Sequence, residues 1–524
     1  MPFLNEHRKA VTEEQEIQPL QPPFSFFDLI ESRFGDYDSI RRIFSLARSF
    51  HAETLIIEKI IPAGIIAEEN QDLAALYPDY RNSDLLRLSF WKKRVGSGDL
   101  SALTNEDLAG YAILKRDETS ALNRGHAWHI FESVFVKYDH EHNCVPRPQT
   151  YHLRVVNKEF EIVGLLYCQQ NGLNKACAQV ALRSLLSRIL PEGDISYRRI
   201  NQFAEIGKPG FKPGKGLNTP QIRHILRSLG LRFSDVDYSQ YYPDDSQQRK
   251  DLPYQKYAYA GLESGGGALV GFRLSGRDLQ QEAAHIIPFY GHTFNKDTWA
   301  PDADVAYFRI GEGVGYVPSE SWTSSFIGHD DNFGPNFCIP RLYIECDKVD
   351  YVVELFKPGV CYSGMQAEAI GLNILYSILP YLDASINKWI SRLLVWTSKQ
   401  RIVFRAQALS SVEYLAHLEN LKDWEGNSEE PALCEAFKQG MPPFVWAVEV
   451  STPQLFPANE RKLGEIVLDA TQELNLHDEA AIFDVFLFAR LPGIYLLGGE
   501  ISNGIPQFTQ VPSGIESHTE LIKL

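Results

Sequence analysis

The sequence predicts an α+β protein built in three regions, and three observations carry that reading. The chain has 524 residues, room for three or four domains at about 150 residues each. Its 44% hydrophobic and 23% charged residues are ordinary globular usage, enough for sizeable cores. In the middle of the chain apolar helical segments precede a run of strand segments, the order of an α+β unit. Residues 1–160 form a mixed α/β N-terminal domain, 161–345 the α+β domain, and 346–524 a C-terminal α/β domain with no assigned role.

The elements follow in chain order. Ser25–Ser49 is helical, Asn105–Leu108 carries a capping pattern, and Gly110–Lys115 and Ile130–Lys137 are short strands. Pro146–Arg147–Pro148 is a turn, and Tyr151–Val163 alternates about Asn157–Lys158 as a hairpin. In the middle region GLLYCQQ reads as a strand leading to an apolar helix, Cys177–Leu190. Its Ala178, Ala181, Leu182, Leu185, Leu186 and Ile189 recur at helical spacing. A second helix starts with Thr219 as N-cap and Pro220 at N1, and ends at Gly230. Strands follow at Ala268–Leu274, His285–Tyr290 and Ser324–Ile327. Beyond 345 come a strand at Tyr351–Phe356, a helical tract of about Gln366–Thr397 broken at Pro380, and a helix at Ser411–Leu421. Strands at Phe444–Val450 and Glu465–Asp469 follow, then the segments Phe483–Phe488 and Ile494–Leu497.

Several classes are excluded. There are 51 basic and 67 acidic residues, a net charge of −16, which argues against a nucleic-acid partner because phosphate binding needs concentrated Lys and Arg. No run approaches the roughly 18 apolar residues that span a bilayer, so no membrane partner is expected. The N-terminus lacks a signal-peptide pattern. Seven scattered cysteines with no CxxC fit free thiols, so a cytoplasmic location is expected. The loop GKPGFKPGKG at 207–216 fails as a phosphate loop, with Pro209 where the first glycine belongs and Gly216 after the lysine. Ser264–Gly267 lacks a dinucleotide spacing and reads as a turn. Neither cofactor nor resident metal is expected.

One constellation carries chemistry. Cys177 falls in the first turn of its helix with Asn174 as N-cap, where partial positive charge favours thiolate. Gln169 and Gln170 lie upstream, where an amide could donate to an oxyanion. A thiolate needs a base oriented by a third group. His285 opens a strand whose alternation puts it with Ile287 and Phe289, while His292 has the opposite parity and packs or caps at the strand end. The next strand ends in His329, Asp330, Asp331 and Asn332, any of the last three able to orient an imidazole, with Asp297 a weaker option.

Glutamine, cysteine at a helix start, histidine opening a strand, then aspartate after the next strand: this order resembles the papain-like cysteine peptidases, most closely their C39-type (bacteriocin-processing-like) branch, over residues 161–345. The resemblance implies a papain-like central domain with Cys177 as nucleophile, His285 as general base and acid, Asp330 as orienting group and Gln170 as oxyanion donor. Gln170 stands seven residues before the cysteine, where the family usually has six, and Ala178 follows it. The implied function is a cysteine-dependent hydrolase, a peptidase cleaving a peptide or isopeptide-type amide in a peptide or protein substrate. Two alternatives stand beside it: an inactive papain-like domain that binds a partner protein, and a metal-binding hydrolase drawing on His285, His292, Asp297, His329, Asp330 and Asp331. Glu449, Glu465 and Asp469 in the C-terminal region read as paired structural carboxylates.

Overall fold

The computed structural model describes residues 2–21, 24–96, 100–122, 126–136, 143–145, 148–173, 177–204, 217–241, 253–274, 283–295, 315–385, 387–474, 481–502 and 505–523. The expectations for the Pro146–Arg147 turn, the Asn174 cap, the 207–216 loop and Asp297 lie outside these residues. Among the described residues three seven-stranded sheets, each with helices on both faces, make an α+β architecture.

The first sheet is antiparallel in the order β1 (Thr12–Pro19), β2 (Thr54–Ile60), β3 (Arg81–Trp91), β4 (Leu108–Glu118), β5 (His126–Val136), β8 (Lys158–Tyr167) and β7 (Gln149–Val155). Its hairpin turns at Val156–Asn157, one residue before the Asn157–Lys158 centre of the alternation, with Val155 opposite Lys158. Helices α1 (Phe24–Arg33) and α2 (Asp38–Ser49) bury Ile30, Ile43 and Phe44 on one face. Helix α3 (Gly64–Leu76) buries Ile65 and Ile66 on the other.

The middle sheet runs β14 (Gly334–Pro340), β13 (Thr323–Asp330), β11 (Ala283–Phe294), β10 (Gly265–Leu274), β15 (Val349–Phe356) and β9 (Phe233–Asp237). The two-residue β6 (Asn143–Cys144) adds to β11. Helices α4 (Cys177–Leu186), α5 (Tyr197–Phe203) and α6 (Thr219–Ser228) cover the face of Leu269, Ile286 and Tyr290. Helix Tyr254–Glu263 covers the face of Val270, Ile287 and Phe289.

The third sheet runs β12 (Val317–Pro318), β16 (Val403–Ser410), β17 (Phe444–Ser451), β19 (Gly464–Asp469), β20 (Phe486–Leu491), β21 (Ile494–Ser502) and β22 (Ile505–Pro512). Short β18 (Arg461–Lys462) and β23 (Thr519–Glu520) pair separately. Among the described residues no helix is long and apolar enough to cross a membrane.

Four further details differ from the sequence reading. The cap of α6 is Asn218, in a reciprocal box with Gln221, and Thr219 is the first helical residue. Asn and Thr are both good caps, so the register depends on which backbone N–H each can reach. Helix Tyr254–Glu263 was not anticipated, because it is buried nearly all round and shows no polar face to mark its period. Of the expected Ser264–Gly267 turn only Ser264 turns, and Gly265–Gly267 are the first residues of β10. The strand at 349–356, assigned by sequence to the third region, hydrogen-bonds between β10 and β9 and completes the middle sheet.

Candidate active site

Cys177 is the first residue of α4, so its side chain stands at the helix end where unpaired N–H groups favour negative charge. The rest of the helix is buried, which fixes that end against the sheet. Its anchor is Arg183, fully buried, paired with Glu132 of β5 and with Asp194 at 3.0 Å.

His285 lies near the start of β11, opposite Phe272 of β10, with ring centroids 5.6 Å apart. Its Nε2 is 3.3 Å from Asp330 Oδ1 and 3.6 Å from Asp331 Oδ1. Both are charge-pairing distances, but neither oxygen is aligned as a hydrogen-bond acceptor for Nε2. Cys177 lies close enough to the same imidazole to favour its charged form. Burial works against a charged imidazole. The close approach of Asp330 and Cys177, with the charges of both aspartates, outweighs it and pushes the pKa up to about 10.

The acid turn is built locally. Asp330 Oδ1 accepts the Asn332 backbone N–H at 2.9 Å, so it serves as an Asx cap and as a partner of His285 at once. Burial would raise the Asp330 pKa, but His285 and the turn's N–H groups hold it below the usual value. Asp331 is buried with no described N–H aligned on either oxygen, and burial outweighs the nearby His285 charge and pushes it up to about 6. Asn332 is exposed and contributes its backbone. The Tyr167 hydroxyl donates to the Asp331 carbonyl at 3.4 Å.

Cys177, His285 and Asp330 are therefore brought together, with Asp331 beside them. Gln170 is half-buried in the segment between β8 and α4, and none of the described side-chain hydrogen bonds joins it to Cys177 or His285. Its neighbour Gln169 is occupied: its amide oxygen accepts from Ile130 N at 2.9 Å and Ser39 Oγ at 3.1 Å.

The other ligand-type residues go elsewhere. His292 is fully buried and bound to Glu263 at 2.7 Å; a register shift between Phe289 and Gly291 interrupts the strict alternation before it. Glu263 also binds Arg405 at 3.2 Å and Gln407 at 2.8 Å, tying the middle sheet to β16. His329 accepts the Asn336 N–H at 3.1 Å and packs on Tyr290, and burial drops its pKa to about 3. Glu449 pairs with Lys462 at 3.0 Å and Glu465 with Arg490 at 2.6 Å, the structural pairing expected of them.

Sequence reasoning missed the contribution of the N-terminal region. Arg42 of α2 donates to the carbonyls of Pro335 at 3.0 Å and Asn336 at 2.5 Å, just past the acid turn. Tyr351 of β15 lies within electrostatic range of Cys177. No local pattern marks either residue.

No family model, no curated protein and no solved structure matches this chain.

Proposed function

We propose that the chain is a cysteine-dependent hydrolase of papain-like type, cleaving a peptide or isopeptide-type amide through a thioester. One observation carries the reading: a cysteine at a helix N-terminus lies beside a histidine whose Nε2 is 3.3 Å and 3.6 Å from two aspartates. In this scheme His285 takes the Cys177 proton and Asp330 holds the imidazolium. The thiolate attacks the carbonyl carbon, and the Cys177 backbone N–H with the Gln170 amide receives the oxyanion. His285 then protonates the departing amine, leaving a thioester that water hydrolyses. No step calls for a cofactor.

The test is labelling by an electrophilic cysteine probe, read by peptide mapping. Wild-type protein is labelled at Cys177, Cys177→Ala is not, and His285→Ala reacts about 100-fold more slowly, the lower end of general-base contributions. Folded wild type that takes no label at Cys177, or His285→Ala that labels at the wild-type rate, sinks the proposal. The first outcome would turn the reading to a partner-binding domain.

A further inference from the structure

Two clusters among the described residues bring three imidazole or carboxylate donor atoms within 4.8 Å of one another: His7, Glu132 and Asp194, and His285, Asp330 and Asp331. The first is already neutralised. Arg8 and Arg183 each bind both Glu132 and Asp194, and His7 Nε2 is 2.8 Å from Glu132. A cation there would have to displace two buried guanidinium groups.

The second cluster differs in its unmet polar atoms. Among the described residues, His285 Nε2 and both Asp331 carboxylate oxygens are buried with no aligned hydrogen-bond partner. Asp331 is only 6% exposed, and a buried unpaired carboxylate is costly unless a partner reaches it. The spacing also suits a metal. Donors at 2.0–2.1 Å from a tetrahedral zinc stand about 3.3–3.4 Å apart, and Nε2 lies 3.3 Å from Asp330 Oδ1 and 3.6 Å from Asp331 Oδ1.

We propose that His285 Nε2 and the carboxylates of Asp330 and Asp331 form a zinc-type divalent metal site, and that filling it switches off the Cys177 centre. Imidazole nitrogen with two carboxylates suits zinc; magnesium and calcium prefer six or more oxygens. A metal on Nε2 takes that nitrogen's lone pair and requires a hydrogen on the ring's other nitrogen. Carrying that hydrogen, the ring can no longer accept the thiol proton. Metal uptake stands on the geometry alone, whereas the switching rests on the hydrolase reading above.

The experiment titrates zinc into the chelator-treated full chain, under a non-coordinating reductant, with calorimetry and probe labelling in parallel. Wild type takes up one zinc at this site and Cys177→Ala retains it, because the thiol is not a donor. Asp331→Ala and the isosteric Asp331→Asn bind at least tenfold more weakly while their circular dichroism is unchanged. Labelling of Cys177 slows as zinc is added and recovers with chelator. Absence of uptake by folded wild type, or uptake unchanged in both Asp331 variants, overturns the metal site. Uptake with undiminished labelling overturns the switch. Wild type that never labels without zinc fails the hydrolase reading and leaves the metal result to be judged by calorimetry.

Discussion

Two adjacent aspartates meet opposite fates because of what their oxygens touch. Asp330 is met by a backbone N–H and by His285 and stays below the usual carboxylate range; Asp331, buried with no described N–H aligned on either oxygen, is pushed up to about 6. A raised folded value means that stability is complete below the ordinary value of 3.8 and is lost as pH climbs through about 6. In metal-free protein Asp331→Asn is therefore expected to be more stable than wild type by about 1–3 kcal/mol at pH 8, the cost of a buried unsatisfied group. The gain vanishes below pH 4. Urea unfolding at the two pH values measures it, and an equal effect at both would contradict the burial argument. His285 titrates in the same sense at higher pH: its contribution is complete below 6.5 and lost as pH rises through about 10.

At the scale of elements, the acid turn depends on a helix from another region. Gly334 has φ +117°, and a Cβ there would come within 2.9 Å of the Arg42 side chain on α2. The same helix reaches Gln169 through Ser39, so it braces both the segment before Cys177 and the turn after Asp330. Gly334→Ala combines backbone strain with a clash and is expected to cost about 1–3 kcal/mol and to slow labelling of Cys177. Asn218→Ala removes the cap of α6, away from this brace, and should cost about 1 kcal/mol with labelling unchanged. Thermal unfolding and labelling rates on the two variants check the contrast; equal loss of labelling would deny α2 any particular role.

At the scale of the molecule, the middle sheet is completed by a strand from beyond residue 345, and that strand carries a buried acid. Glu354 of β15 is fully buried, no well-aligned donor among the described residues meets either oxygen, and burial, helped by the charge of Glu368, pushes it up to about 8. Glu368, on helix Gly364–Ile378 of the third region, is raised to about 8 as well, chiefly by burial. Both contribute fully below 4.5 and lose that contribution as pH rises through about 8. Wild type should thus lose stability between pH 7 and 9, and Glu354→Gln should flatten the loss. A melting-temperature series across that range decides the matter, parallel curves counting against it.

Local pattern determined a good deal: the helix that starts at Cys177, the hairpin within 151–163, the strands at His285 and Ser324, and the residue types that gather as Cys177, His285 and Asp330. These follow from side-chain periodicity and turn chemistry, which act over a few residues and leave a mark in the chain. Helix Tyr254–Glu263 left none, because burial on all sides erases the polar face that would show its period. The membership of β15 in the middle sheet and the bracing by α2 were decided only in three dimensions, since hydrogen-bond partners across a sheet are set by packing between distant segments. So was the difference between Asp330 and Asp331: neighbours of identical chemistry in the chain, they are separated only by which N–H groups the folded turn presents to each.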